Sequence, residues 1–364
     1  MRGNEVFVGS YGDLKRLIVL IKEFVGIADI VGYKVFGGSV IWGSISDVND
    51  LPLNVSDIQG PGFFRITKGT RFRHSVASPK VFLNPSEQLL LMVFRNYDVE
   101  SVVGEIPRVV LFGIKPCDVK SIEVLDSILG NHPLYAKARK AIAGIVVEEC
   151  LEPGETCFCG ATDSGPNAGK GFDISYAKVN ENSVIFRYGS NLGKRIIDEL
   201  GLKEAERDIV EEYVRLVENA KTKTVSKIPK VVDVQKALYN CIEDISIWAM
   251  LSKNCVGCGN CNYVCPTCFC LEFEDEIVDE RYAKRVAKWI GCLTYTYGQV
   301  AGGHFRPQLY MRYRHFVLHK FLFYPKQIGL LGCVGCGRCI TWCPLGVDLR
   351  KTLSEIVERC VKHG

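Results

Sequence analysis

Hydrophobic and polar positions follow two different periods along the first half of the chain. Leu14, Leu17, Ile18, Ile21 and Phe24 recur every three or four residues, the spacing of one helix stripe, and Asp13 can cap its first turn. Arg108 to Ile114 is instead a short unbroken apolar run, as expected of a strand covered on both faces. It closes in Lys115-Pro116-Cys117-Asp118, where Asp118 can cap a helix from Val119 to Leu129. A second run, Ala141 to Val147, ends in Glu148-Glu149-Cys150. Strand, helix and strand in this order predict a parallel α/β sheet. A strand or hairpin at Ser183 to Tyr188 follows, then one long amphipathic helical stretch from Leu192 to Val217 and another from Val234 to Leu251.

The segment Asn219 to Lys236 is polar and basic and contains Pro229, which marks it as the connector between halves. The expected organisation is an α/β domain with parallel strands over 1–220 and a linker with a helix over 221–254. A ferredoxin-like dicluster domain of α+β class follows over 255–350, interrupted by an insertion at 266–332, and a C-terminal helix over 351–364 ends the chain.

Composition narrows the function. Apolar residues at 47% and charged residues at 24% are those of an ordinary globular protein. A net charge of +4 without a concentrated basic face argues against nucleic acid as a partner. No P-loop, G-x-G-x-x-G or G-x-S-x-G motif is present, so nucleotide-binding and serine-hydrolase readings fall away. The apolar stretch Leu14 to Val31 is broken by five charges and does not predict a membrane span. With no secretory h-region, the expectation is a cytoplasmic protein, where clustered thiols bind metal or do redox chemistry more often than they form disulfides. Hyperthermophiles are the exception.

That reading matters because the chain holds 17 cysteines. Two segments repeat one pattern, C-x2-C-x2-C-x3-C-P: Cys255, Cys258, Cys261 and Cys265 before Pro266, and Cys333, Cys336, Cys339 and Cys343 before Pro344. Three thiolates at this spacing wrap one 4Fe-4S cubane, and the fourth reaches the neighbouring cluster. The assignment is therefore crossed. Cys255, Cys258, Cys261 and Cys343 hold cluster one; Cys333, Cys336, Cys339 and Cys265 hold cluster two. Structural zinc would use separated ligand pairs around a tetrahedron and fits four cysteines in eleven positions less well.

Cys117 and Cys150 each follow a predicted parallel strand and should emerge on one rim of the sheet, where Cys157 and Cys159 can join them. Four thiols there predict a third 4Fe-4S centre. The plainer alternative makes Cys117 and Cys150 buried small hydrophobes and the C-x-C pair incidental or a redox thiol. Cys268, Cys270 and Cys292 are three ligands without a fourth, read as packing near the clusters or a thiol role. Cys241 and Cys360 fall on amphipathic helices and read as structural. His304 reads as a hydrogen-bonded residue of a glycine turn, and Arg306 to Lys320 as a docking face or solvated helix.

The KPCD motif at Lys115 to Asp118, Cys157-Phe158-Cys159, the CPTCFC segment from Cys265 to Cys270, AGGHFRP at 301–307 and CVGCGRC at 333–339 occur in one order. In this the sequence resembles the beta subunits of cytosolic NAD(P)-linked nickel-iron sulfhydrogenases of hyperthermophilic archaea, a family shared with the A component of anaerobic sulfite reductase. The resemblance spans roughly 108–350. It implies an electron-transfer protein without catalytic residues of its own. Such a protein relays electrons between a flavin subunit that handles NAD(P)H and the small and large hydrogenase subunits, or a sulfite-reducing partner. It also implies that Cys117, Cys150, Cys157 and Cys159 match family cysteines. A rival of another class is a self-contained sulfur or polysulfide reductase at the N-terminal thiols, which needs a substrate pocket beside Cys157 and Cys159.

Overall fold

The computed structural model describes residues 5–101, 104–180 and 182–361. Among them, an eight-stranded sheet runs in the order Lys203–Glu204, Phe7–Gly9, Val184–Tyr188, Ile174–Lys178, Ile142–Glu148, Val109–Ile114, Asp29–Phe36 and Ser39–Ser44. Its four central strands pair in parallel and its flanking strands antiparallel. The strand-helix-strand unit stands as expected, with Val109–Ile114 and Ile142–Glu148 adjacent and the helices Pro116–Leu129 and Pro133–Ala141 between them in sequence. Helices cover both faces. Leu14, Leu17, Ile18 and Ile21 pack with Ile196 and Ile197 on one side, and Ile122, Leu125 and Tyr135 pack against Leu111 and Val147 on the other.

Several expected boundaries move, each for a local reason. Asp13 is not the cap: Ser10 precedes the helix Tyr11–Val25, and Asp13 accepts from the Ser10 N–H at 2.8 Å. Likewise Asp118 lies inside its helix, which starts at Pro116, because a proline's fixed φ suits the first helical turn. The long stretch from Leu192 to Val217 is two helices, Asn191–Leu200 and Arg207–Val225, separated where Gly201 takes φ +63°. The second continues into the segment read as a connector, so that only 226–230 runs between it and the helix Val231–Asn240. The stretch Val234 to Leu251 is also broken; Asp244 caps the helix Ile245–Leu251 through the Ser246 and Ile247 N–H groups.

The C-terminal half has its own core, in which Trp248, Phe316, Phe321, Leu353 and Ile356 are fully or nearly fully buried. The helix Leu309–Leu318 supplies part of it, with Arg312, Tyr313 and Phe316 buried. Arg306 to Lys320 is thus largely core rather than a solvated face, because the Arg312 side chain is absorbed by the carbonyls of Leu293, Arg306 and Pro307. His304 lies in the short strand Gly303–His304 just after the glycine turn, paired with Gln299 and accepting from the Arg306 N–H at 2.8 Å. The last helix is Leu349–Cys360; positions 362–364 of the expected C-terminal helix lie outside the described residues. No helix among the described residues is long and apolar enough to cross a membrane.

Cys241 and Cys360 are more than packing residues: they form a disulfide across 119 positions, with Cα atoms 5.7 Å apart. Both side chains are buried in the C-terminal core, where burial and proximity favour the bond. Replacing both by alanine is expected to cost about 2–4 kcal/mol, read as a thermal midpoint several degrees lower, because the unfolded chain regains the freedom the bond removes. An unchanged midpoint, with wild type equally indifferent to reductant, would show the bond contributes nothing.

Candidate metal centres

The two cysteine runs adopt the same backbone. Each passes through two left-handed glycines, Gly257 (φ +68°) and Gly259 (φ +74°) in the first, Gly335 (φ +59°) and Gly337 (φ +77°) in the second. Each then enters a short helix, Asn260–Val264 or Arg338–Thr341. Left-handed turns point successive N–H groups inward, toward sulfur. The Gly257 N–H reaches Cys255 Sγ at 3.4 Å, and the Val347 N–H reaches Cys343 Sγ at 3.3 Å.

The fourth cysteine of each run sits with the first three of the other. Cys255, Cys258, Cys261 and Cys343 line one pocket partly open to solvent, with Cys339 also in its wall. Cys265 lies close enough to Cys333, Cys336 and Cys339 to influence the charge of each. Burial pushes Cys261 and Cys339 well above the ordinary thiol range and Cys333 to about 12. Metal binding there must displace protons. Cys265 goes the other way, held well below that range first by the hydrogen bond from Cys268 and also by the Lys320 ammonium. A pocket at the first place, and inward N–H groups with converging soft donors at both, fit a sulfur-bridged iron cluster. No group of three or more His, Cys, Asp or Glu side chains among the described residues is set to hold a single metal ion.

Three of the four N-terminal thiols pack against the second run, and Cys150 stands beside two of them. Cys117 lies in the first turn of the helix after strand Val109–Ile114, and Cys150 follows strand Ile142–Glu148, so the parallel sheet delivers both to one rim. The loop 156–159 docks on the cluster run itself. Phe158 N–H donates to the Gly335 carbonyl at 2.8 Å, and the Thr156 and Thr341 hydroxyls meet at 2.7 Å. A Cβ on Gly337 would stand 2.6 Å from the Thr156 carbonyl, so glycine is what permits the approach. Cys117 and Cys159 pack with Val334 and Cys336, and Cys157 donates to the Cys336 carbonyl at 3.6 Å. Cys150 is near enough to shift both Cys157 and Cys159, whose thiols burial pushes up, Cys159 to about 12.

Charged groups that spacing did not single out complete the site. Arg338, fully buried, forms a two-pronged pair with Asp118 at 2.7 and 3.1 Å and also donates to the Ser75 carbonyl and the Tyr33 hydroxyl. His74 Nε2 lies 2.8 Å from the Cys336 carbonyl. The sequence carried one faint signal: CGRC in the second run where the first has CGNC. Cys268, Cys270 and Cys292 gather around Asn262 and Lys320, beside Cys265.

Comparison with known proteins agrees with this chemistry. Residues 254–347 match the family described as a 4Fe-4S dicluster domain. The chain is 32% identical over 293 residues to sulfhydrogenase 2 subunit beta of Pyrococcus furiosus, covering 79% of this chain and 85% of that protein. No solved structure matches it. The likeness reaches well beyond the cluster runs into the α/β half, and the chain belongs to the sulfhydrogenase beta-subunit family, as an iron-sulfur electron-transfer subunit with 4Fe-4S clusters.

Proposed function

We propose that the protein relays single electrons through two crossed 4Fe-4S clusters. One is held by Cys255, Cys258, Cys261 and Cys343, the other by Cys333, Cys336, Cys339 and Cys265, and a third is held by Cys117, Cys150, Cys157 and Cys159. The observation that carries this reading is the exchange of fourth cysteines between two runs with the same pair of left-handed glycines. Clusters in these positions supply one-electron transfer. The chain's own residues do the rest: inward N–H groups and the buried Lys320 and Arg338 stabilise negative charge on sulfur, and the apolar core around the runs limits water. Cys336 touches both the second run's partners and the N-terminal thiols, which makes the third site continuous with the relay.

The partners proposed are a flavin subunit that handles NAD(P)H and the small and large subunits of a nickel-iron hydrogenase, in the cytoplasm. Membership in a sulfhydrogenase family supports them over the sulfite-reductase complex. A self-contained polysulfide reductase is disfavoured, since Cys157 and Cys159 are only 5% and 6% exposed. A cavity of about 400 Å³ opens on Cys150 instead.

Anaerobically purified chain is expected to hold about eight iron atoms from the two runs and about twelve with the third site. Alone, it should not turn over NAD(P)H, hydrogen or polysulfide, and restored turnover should require the partner subunits. Stoichiometric zinc without iron overturns the cluster reading; turnover by the isolated chain overturns the relay.

A further inference from the structure

Cys268, Cys270 and Cys292 belong to none of these sets, yet the fold assembles them. Cys268 and Cys270 precede the strand Leu271–Ile277, and Cys292 follows its partner strand Tyr282–Trp289. Leu271 pairs with Trp289, and the Ile290 N–H donates to the Cys270 carbonyl at 3.1 Å. The base of this hairpin therefore holds the Cys270 and Cys292 segments together. The hairpin is in turn anchored to the N-terminal half, because Tyr282–Trp289 also pairs with Glu87–Phe94.

Buried donors face the sulfurs. Asn262, 3% exposed, extends Nδ2 to Cys292 Sγ at 3.2 Å and to Cys268 Sγ at 3.6 Å. Lys320, 4% exposed, sets Nζ 3.4 Å from Cys268 Sγ and 3.3 Å from Cys265 Sγ; it also donates to the Thr267 hydroxyl and the Gly332 carbonyl and stands over the Phe316 ring. Lys80, 2% exposed, contacts the Asn262 and Tyr263 carbonyls and stands over the Trp289 ring. Burying two ammoniums is costly unless negative charge lies opposite, and the ionisable atoms in contact with Lys320 Nζ are the Cys265 and Cys268 sulfurs. Lys320 also lies in a π-helical turn, His319–Phe323, which follows the helix Leu309–Leu318; such turns concentrate at functional positions.

The two halves of the dicluster unit repeat this arrangement. A Cys-Phe-Cys segment occurs twice, at 157–159 and 268–270. The glycines of the second run press on residues 156–159, and those of the first press on Gly291, Leu293 and Thr294, on either side of Cys292. Each run thus has a loop bearing further thiols seated on its tightest turn.

We propose that Cys268, Cys270 and Cys292 hold an additional iron-sulfur cluster through three thiolates, with a non-cysteine ligand in the remaining position and the two buried lysines balancing its charge. It rests on the relay reading only in committing Cys265 to the neighbouring cluster. Each cysteine loses its thiol proton as its sulfur–iron bond forms, so assembly on the apo-chain releases three protons without oxidising or reducing the protein.

The test is iron, acid-labile sulfide and EPR on the full chain purified anaerobically. The Cys270→Ser/Cys292→Ser variant should lose three or four iron atoms and a matching amount of sulfide, while the spectrum of the two run clusters persists. Unchanged iron and sulfide in a variant that melts like wild type overturns the proposal, as does zinc in wild type that the variant lacks. Should the double variant not fold, Cys270→Asp keeps an oxygen ligand at the same place. It should retain the iron and alter the EPR signal of one cluster, and a spectrum identical to wild type overturns the proposal. Iron lost from Cys255→Ala but not from the Cys270 and Cys292 variants would leave the relay standing and sink this site; the reverse would sink the relay assignment.

Discussion

Replacing Cys343 by alanine should destroy the cluster whose other three ligands lie about eighty residues upstream and spare the cluster of its own run. Cys343 lines the cavity with Cys255, Cys258 and Cys261, and the Val347 N–H steers its sulfur there. Its own run keeps Cys333, Cys336 and Cys339, with Cys265 as the fourth thiol in reach. Iron should fall by about four atoms per chain, and an EPR spectrum of two interacting clusters should collapse to that of an isolated one. Cys265→Ala is the mirror experiment and should remove the other cluster. Electron transfer across the chain should stop in both. If Cys343→Ala instead removed the cluster of Cys333, Cys336 and Cys339, the runs would be self-contained and the crossing wrong.

The spacing of cysteines made most of this site legible, because a cubane's size dictates how far apart its ligands can fall along a tight loop. The parallel sheet was legible for a similar reason: Val109–Ile114 and Ile142–Glu148 are covered on both faces, so their apolar runs have no polar interruption. Helix ends were less so. Asp13 and Asp118 are good caps by type, but Ser10 and Pro116 compete for the same turn, and the first acceptable residue in the chain won both times. The gathering of Cys268, Cys270 and Cys292 was hidden because a strand register, Leu271 with Trp289, brings them together, and register is set by partners far away in sequence. The disulfide was missed for a chemical reason. A compartment argument speaks about average thiols, while Cys241 and Cys360 are buried against one another in a dry core.

A contact that joins the two halves was only faintly signalled in sequence, and it carries the second large effect. Arg338 and Asp118 have fully buried side chains and contribute, among the described residues, the one arginine–carboxylate pair at the contact between the N-terminal thiol rim and the second cluster run that is closed to solvent on both sides. Removing only the arginine, in Arg338→Leu, leaves the Asp118 carboxylate in the interior with the Lys115 N–H at 3.4 Å as a weak remaining donor. Such a broken pair costs about 3–5 kcal/mol, more than any surface ion pair here could. The Tyr33 hydroxyl and the Ser75 carbonyl lose their partner as well, which adds to the loss. Asp118→Leu alone should be comparably harmful, since it strands the guanidinium beside Cys336 and Cys117. The double variant Arg338→Leu/Asp118→Leu leaves no buried charge and should be distinctly more stable than the sum of the single effects predicts. Thermal unfolding of the four proteins gives the coupling directly; additivity within about 0.5 kcal/mol would mean the pair does not act as a unit. Potentiometry supplies an independent reading. Loss of a fixed positive charge next to Cys336 makes adding an electron there harder, so the nearest cluster in Arg338→Leu should be reduced at a more negative potential, with the cluster of Cys255, Cys258 and Cys261 less affected.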